Sequence, residues 1–113
     1  MQTTDAPASP PPPPASTPTI FESIVKQQCV AATYNRGEVT LAPHAIYTRH
    51  GELHIDAVTI ERDGKPPKEV KIGTFKLAGL GPVRLTPRRF TPSEVFDPKD
   101  AKYGDTLLMA VEI

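Results

Sequence analysis

Seven of the chain's 14 prolines fall within its first 18 residues, five of them unbroken from Pro10 to Pro14. Proline fixes φ and lacks an amide hydrogen, so such a run enters neither a helix interior nor a sheet. Apart from Met1 and one charge, Asp5, the rest of this stretch is Ala, Ser, Thr and Gln. Without aromatic or branched aliphatic side chains, residues 1–18 cannot bury enough apolar surface to offset the entropy of ordering. They read as a disordered tail of extended polyproline character. The spacings Pro7/Pro10 and Pro11/Pro14 have the form an SH3-type groove accepts. No basic residue flanks them, and a spacer or solubilising tail is the plainer reading.

Folding is therefore assigned to residues 19–113. The 113-residue total allows one ordinary domain. One cysteine makes no internal disulfide and no thiolate cage, which excludes a disulfide scaffold and a structural zinc finger. No apolar run approaches the ~20 residues of a membrane-spanning helix. The start carries neither the basic and apolar segments of a secretory signal nor the arginines of a mitochondrial presequence, so a cytoplasmic location is expected.

Thr19 and Glu22 stand at capping-box spacing, and Ile20, Phe21, Ile24 and Val25 then share one side of a short helix ending near Gln28. From Cys29 the period changes. Cys29 to Tyr34 suits a strand, Asn35-Arg36-Gly37 suits a tight turn, and Val39 and Leu41 alternate with polar neighbours. Pro43 cannot donate to a ladder and is expected at an edge or break.

A second hairpin turns at His50-Gly51. With those two residues as its loop, Arg49 faces Glu52, Thr48 faces Leu53, Tyr47 faces His54, Ile46 faces Ile55 and Ala45 faces Asp56. Ile46, Leu53, Ile55 and Ala57 then form a core face, and Tyr47, Arg49, Glu52, His54 and Asp56 a polar display. Val58 and Ile60 continue on the opposite parity, which predicts a bulge or bend near Asp56. The same slip is predicted across Gly73, between Val70/Ile72 and Phe75/Leu77. Strands that change face midway suit a small, strongly bent barrel. Val83 and Leu85 read as a further short strand, and residues 107–113 as an edge strand closing the sheet. The expected class is mainly β (α+β), a short N-terminal helix followed by a small β-barrel.

These elements resemble the WYL domain family. That family shows a short helix, a strand ending in Tyr, a Pro-containing strand, a Trp-Tyr-Leu strand and a Phe-Arg-Leu-Asp-Arg-Ile string. Here the corresponding pieces are Ile24 and Val25, Tyr34, Leu41-Ala42-Pro43-His44-Ala45-Ile46-Tyr47, Gly51-Glu52-Leu53-His54-Ile55-Asp56-Ala57 and Phe75-Lys76-Leu77-Ala78-Gly79-Leu80. Val83, Leu85 and Phe90-Thr91-Pro92 resemble the trailing segment, so the similarity spans about residues 20–97. The resemblance implies an SH3-like or Sm-like barrel acting as a ligand-binding module in bacterial transcription regulators, often for nucleic acid or a small anion. Such domains usually follow a helix-turn-helix, for which the residues before Thr19 leave no room. Leu53 and His54 replace the motif's Trp and Tyr. Lys76 and Gly79 stand at its two arginine positions, and lysine lacks the bidentate geometry of arginine.

The zero net charge hides an uneven distribution. Residues 62–89 hold eight basic side chains against Asp63 and Glu69, and residues 90–113 carry −3. On the alternation, Lys76 and Arg84 point away from the core and join Arg49, Tyr47 and His54 as a candidate site for single-stranded nucleic acid or a small anionic ligand. The bland reading is a solvated sheet face paired with the acidic end. His44 and His54 fall on separated rungs and His50 in the turn, with no convergent carboxylate except Asp56, so no metal site or cofactor is expected. His54 beside Asp56 has the form of an oriented base or of an ordinary surface pair. Ser23, Ser93 and Cys29 stand in no nucleophile–base constellation, and no glycine loop cradles a phosphate. The expectation is a non-enzymatic binding or regulatory module. The alternative is a protein–protein interaction or structural domain, pairing through an edge strand or the proline tail.

Overall fold

A computed structural model describes residues 16–112, and the tail expected for residues 1–18 lies outside them up to residue 15. The helix α1, Thr17–Lys26, begins two residues before Thr19, with Pro18 in its first turn, where a missing amide hydrogen costs nothing. The predicted capping box does not form. Glu22 instead pairs with Lys26 at 2.7 Å, one turn ahead. Ile20, Ser23 and Ile24 are buried, while Val25, expected in the apolar stripe, is 69% exposed. Gln27 ends the helix in the left-handed conformation.

Six strands follow: β1 Gln28–Tyr34, β2 Gly37–Arg49, β3 Glu52–Arg62, β4 Ile72–Lys76, β5 Arg84–Arg89 and β6 Leu107–Ala110. All pairings are antiparallel, in the order β4-β3-β2-β1-β5, with β6 on β2. The fold is thus mainly β with one short helix. The sheet is open, since its end strands β4 and β5 do not pair. It bends enough to bring Tyr34 of β1 against Phe75 of β4, ring centroids 5.2 Å apart. Asn35 and Arg36 take the left-handed region at the first turn, His50 and Gly51 at the second. The second hairpin has the register expected from its loop, from Arg49↔Glu52 to Ala45↔Asp56.

Pro43 neither ends β2 nor marks an edge. It pairs with Ala57 while Ala45 pairs with Asp56, leaving His44 as an extra residue. A bulge interrupts the ladder, and a proline is tolerated there. The bulge predicted near Asp56 therefore sits opposite it, on β2. A second bulge leaves Ile60 extra in β3, between the pairs Thr40↔Glu61 and Leu41↔Thr59. The slip predicted across Gly73 is absent: β3 and β4 pair without a shift from His54↔Lys76 to Val58↔Ile72. Val70 lies outside the strand, 72% exposed, and Leu77 begins a 3-10 turn. The C-terminal strand β6 does not close the sheet. It pairs with Ala45, Ile46 and Tyr47 on the side of β2 that β1 has left.

Strand alternation then gives the sheet two faces. Leu41, Ile46, Ile55 and Ala57 join Val30 and the α1 residues Ile20 and Ile24 in the main core. The other face carries Ala42 and Val58 at one end, and Tyr47, His54, Asp56 and Lys76 at the other.

Candidate functional site

The second face is half covered, and a buried carboxylate fixes the cover. Asp56, expected in an exposed polar display, is 2% exposed. Its Oδ1 accepts from the Tyr47 hydroxyl at 2.6 Å and the Thr74 hydroxyl at 2.8 Å. Its Oδ2 accepts from Lys102 Nζ at 2.8 Å and the Tyr103 hydroxyl at 2.6 Å. Burial by itself raises the carboxyl pKa, but the four donors outweigh it and hold Asp56 below the usual carboxylate range. Burial, reinforced by the bond to Asp56, pushes the hydroxyls of Tyr103 and Tyr47 upward. Lys102 loses hydration by partial burial, yet its bond to Asp56 raises its pKa overall. The Lys102 ammonium also sits 5.5 Å from the Tyr47 ring centroid and 5.4 Å from that of Tyr103. The segment after β5 is thereby strapped over Tyr47, and Tyr47, Phe96 and Tyr103 pack continuously with the main core.

His44, the bulged residue, holds the same strap nearer its start. Its Nδ1–H donates to the Ala42 carbonyl at 2.7 Å, because a carbonyl only accepts. Its Nε2 must then accept the Ser93 N–H, at 2.9 Å. Phe90 and Phe96 flank the ring at 5.1 and 5.3 Å. Burial lowers the His44 pKa, against the opposing effects of the Ala42 carbonyl and the Asp56 charge.

Beyond His44 the face is covered more thinly: Cys29, Ala42 and Val58 are buried there, packed with half-buried Ile60, Ile72 and Phe90. A trough of about 810 Å³ remains there, floored by Cys29, Ala42, Val58 and Ile60 and walled by Phe90 on one side and Pro66-Pro67 on the other. Burial raises the Cys29 thiol despite Arg88 nearby, so it is a neutral floor group. Across the two prolines lies a second space of about 720 Å³, between Thr59 and Arg62 of β3 and the chain from Lys65 to Gly73. The two spaces share Thr59, Pro66 and Pro67.

Of the five residues expected to form a basic face, three are brought together and Arg84 lies apart. Lys76, His54 and Tyr47 lie on one rung across β4, β3 and β2. Tyr47 is 2% exposed, with His54 stacked on it at 6.0 Å and Tyr103 edge-on at 5.1 Å, so it offers no plane for a base. Lys76 pairs with Glu52 at 2.8 Å. Arg84 lies on β5, at the far end of the strand order, and pairs with Glu38. Arg49 stands exposed at the hairpin tip with no ion pair among the described residues. His54 bonds the Glu52 carbonyl at 3.1 Å and not Asp56, whose oxygens are already filled. Among the described residues no three His, Cys, Asp or Glu side chains are placed to share a metal ion. No described helix is long and apolar enough to cross a membrane.

Sequence reasoning missed Thr74, Lys102 and Tyr103. One signal pointed toward them. Asp56 stands between Ile55 and Ala57-Val58, where a carboxylate is buried only if donors arrive from elsewhere in the chain. Comparison with known proteins found no matching family model, no similar curated protein and no similar solved structure.

Proposed function

We propose that this chain is a non-enzymatic protein-interaction module whose working surface is the open half of the second sheet face. The observation that carries this reading is the contrast within one face. Half is sealed by a strap and a saturated carboxylate, and half carries an open trough of mixed lining, in which half-buried Ile60 and Phe90 and exposed Val70 stand over a buried apolar floor together with Arg88, Arg89 and Glu94. A volume of this order is ordinary for a binding cleft, and its apolar contact area comes from Ile60, Phe90, Val70 and the two prolines. The residues first expected to hold nucleic acid support that role less well, since Tyr47 is buried and Lys76 and Arg84 have acidic partners. The kinship with WYL domains belongs to the same proposal. The element order favours it, and a sheet bent until Tyr34 meets Phe75 approaches the barrel that kinship implies.

The test is selection of phage-displayed random peptides on the wild-type protein and on Ile60→Asp, which places a charge in the trough floor at a half-buried position. Peptides enriched on wild type and lost on Ile60→Asp are expected. Equal enrichment on both proteins, or none on either, overturns the reading. Salt-sensitive binding of an oligothymidylate that disappears in a Lys76→Ala/Arg84→Ala double variant selects the nucleic-acid reading instead.

A further inference from the structure

Building on that reading, we propose that the partner segment binds by strand addition to the free length of β3, residues 59–61, and that it is an acidic peptide with alternate apolar residues. β3 is longer than its neighbour. Its ladder with β4 stops at Val58↔Ile72, whereas its ladder with β2 runs on to Val39↔Arg62. On the β4 side, residues 59–61 meet no strand among the described residues. Arg62 is closed off by a tight exchange of bonds with Lys65, at 2.8 and 3.0 Å. Past Lys65 the chain swings away through Pro66 and Pro67, which lack the amide hydrogens to pair. It leaves the space of about 720 Å³ beside Thr59 and returns to the sheet only at Ile72. An added strand in line with β4 occupies the place of a longer β4.

Side-chain chemistry follows from the alternation. Every second residue of such a strand lies on the trough face, beside Val58 and Ile60, and calls for an apolar group. The surrounding charges call for acids. Arg62, Lys65 and Lys71 line the space against Asp63 and Glu69; Asp63 accepts the Glu38 N–H, Lys71 reaches Glu69 only at 3.8 Å, and Lys65, with exposed Lys68 three residues on, makes no ion pair among the described residues. Glu61, which would repel an acidic strand, is held by Arg88 at 3.1 Å. Lysines and prolines beside an open edge also deter pairing between like chains, so the same residues favour an acidic segment over a second copy.

The probe is a short capped peptide alternating Glu with Val and Ile, followed by calorimetry and by amide nitrogen–proton correlation spectra. Two N-methylated versions accompany it, one blocking the amides that face β3 and one blocking the others. Binding is expected to perturb Thr59, Ile60 and Glu61, to weaken with salt, and to fall in Lys65→Glu/Lys68→Glu. Methylation toward β3 is expected to cost about tenfold or more through lost backbone bonds, and methylation away from it little. If display-selected peptides bind but tolerate both methylation patterns, strand addition falls and the trough reading stands. If neither selected nor designed peptides bind, both fall. Binding of a version with Lys in place of Glu at equal strength overturns the acidic assignment, and concentration-dependent dimerisation through β3 assigns the edge to a second copy.

Discussion

Replacing Asp56 with Ala removes the one acceptor shared by four donors, and the cost can be worked out donor by donor. Lys102 is 40% exposed at its side chain and regains water once released, so it adds little. Thr74 is part-buried and partly recovers. The Tyr103 hydroxyl is buried with no hydrogen-bond partner but Asp56 among the described residues, the buried Tyr47 hydroxyl has only Thr74 and Lys102 beside it to turn to, and a buried donor left unsatisfied costs roughly 1–3 kcal/mol. Summed, Asp56→Ala is expected to cost about 3–5 kcal/mol, the range for breaking a buried pair from one side. Tyr103→Phe leaves the carboxylate with three donors and loses one charge-assisted bond, about 1.5–3 kcal/mol. A third variant separates the pairing from the packing. Asp56→Leu combined with Tyr47→Phe, Tyr103→Phe and Lys102→Met leaves the cluster without a buried charge, and it is expected to recover to within about 2 kcal/mol of wild type. The assay is urea unfolding of the full chain, comparing midpoints at constant m. Asp56→Ala costing under about 1 kcal/mol, or the apolar quadruple variant proving no more stable than Asp56→Ala, refutes the clamp.

Three further outcomes follow from particular contacts. His44 has its pKa lowered by burial, so the unfolded chain takes up the proton first. Its contribution to stability is complete above about pH 6.5 and is lost as pH falls below that value toward the folded pKa, with a slope of at most about 1.4 kcal/mol per pH unit. Urea titrations at stepped pH are expected to show this slope in wild type and not in His44→Gln, and a slope unchanged by the substitution refutes the assignment. Gly81→Ala sets a Cβ 2.9 Å from the Thr33 Cβ, beside a Gly81 N–H to Thr33 carbonyl bond of 2.7 Å. It is expected to lower stability by about 1–3 kcal/mol in thermal unfolding, and no change in Tm counts against that close approach. Lys76→Ala and Arg84→Ala break exposed ion pairs and are expected to cost about 1 kcal/mol or less each. A larger loss in either gives those residues a structural weight that exposed pairs do not have.

The parts of the fold that were legible in the sequence are those fixed by local geometry. Two residues at His50-Gly51 set the register of the β2–β3 hairpin, and Asn35-Arg36 set that of β1–β2, because a tight turn leaves the flanking strands no choice of partners. The bulge near Asp56 was legible as a change of parity. Which strand carries the extra residue was not, since a parity change in β3 looks the same whether β3 or β2 holds it. The surroundings of the candidate site were hidden for a related reason. Alternation correctly assigned Tyr47 and Asp56 to the second face, but whether that face meets water depends on a segment some 46 residues farther along, through Lys102 and Asp56. No local pattern in residues 90–106 announces a helix or strand, so the strap had no signature beyond isolated apolar anchors such as Phe96.

One bulge ties these observations together. The extra residue in β2 is His44, and the bulge is what allows a proline beside it inside a 13-residue strand. It also marks where the covered half of the second face gives way to the open half. On one side of it the strap is drawn down by Asp56, and at the bulge itself the imidazole takes the Ser93 amide and ends the cover. On the other side, Ala42 and Val58 are buried with Cys29 in a small second cluster, and half-buried Ile60 and Phe90 line the trough beside Pro66 and Pro67, through which the chain passes without pairing to the sheet. The buried cluster is therefore best understood as the device that fixes how far the strap reaches. The trough, whose wall at Phe90 and Ser93 that device positions, is the surface proposed to meet a partner.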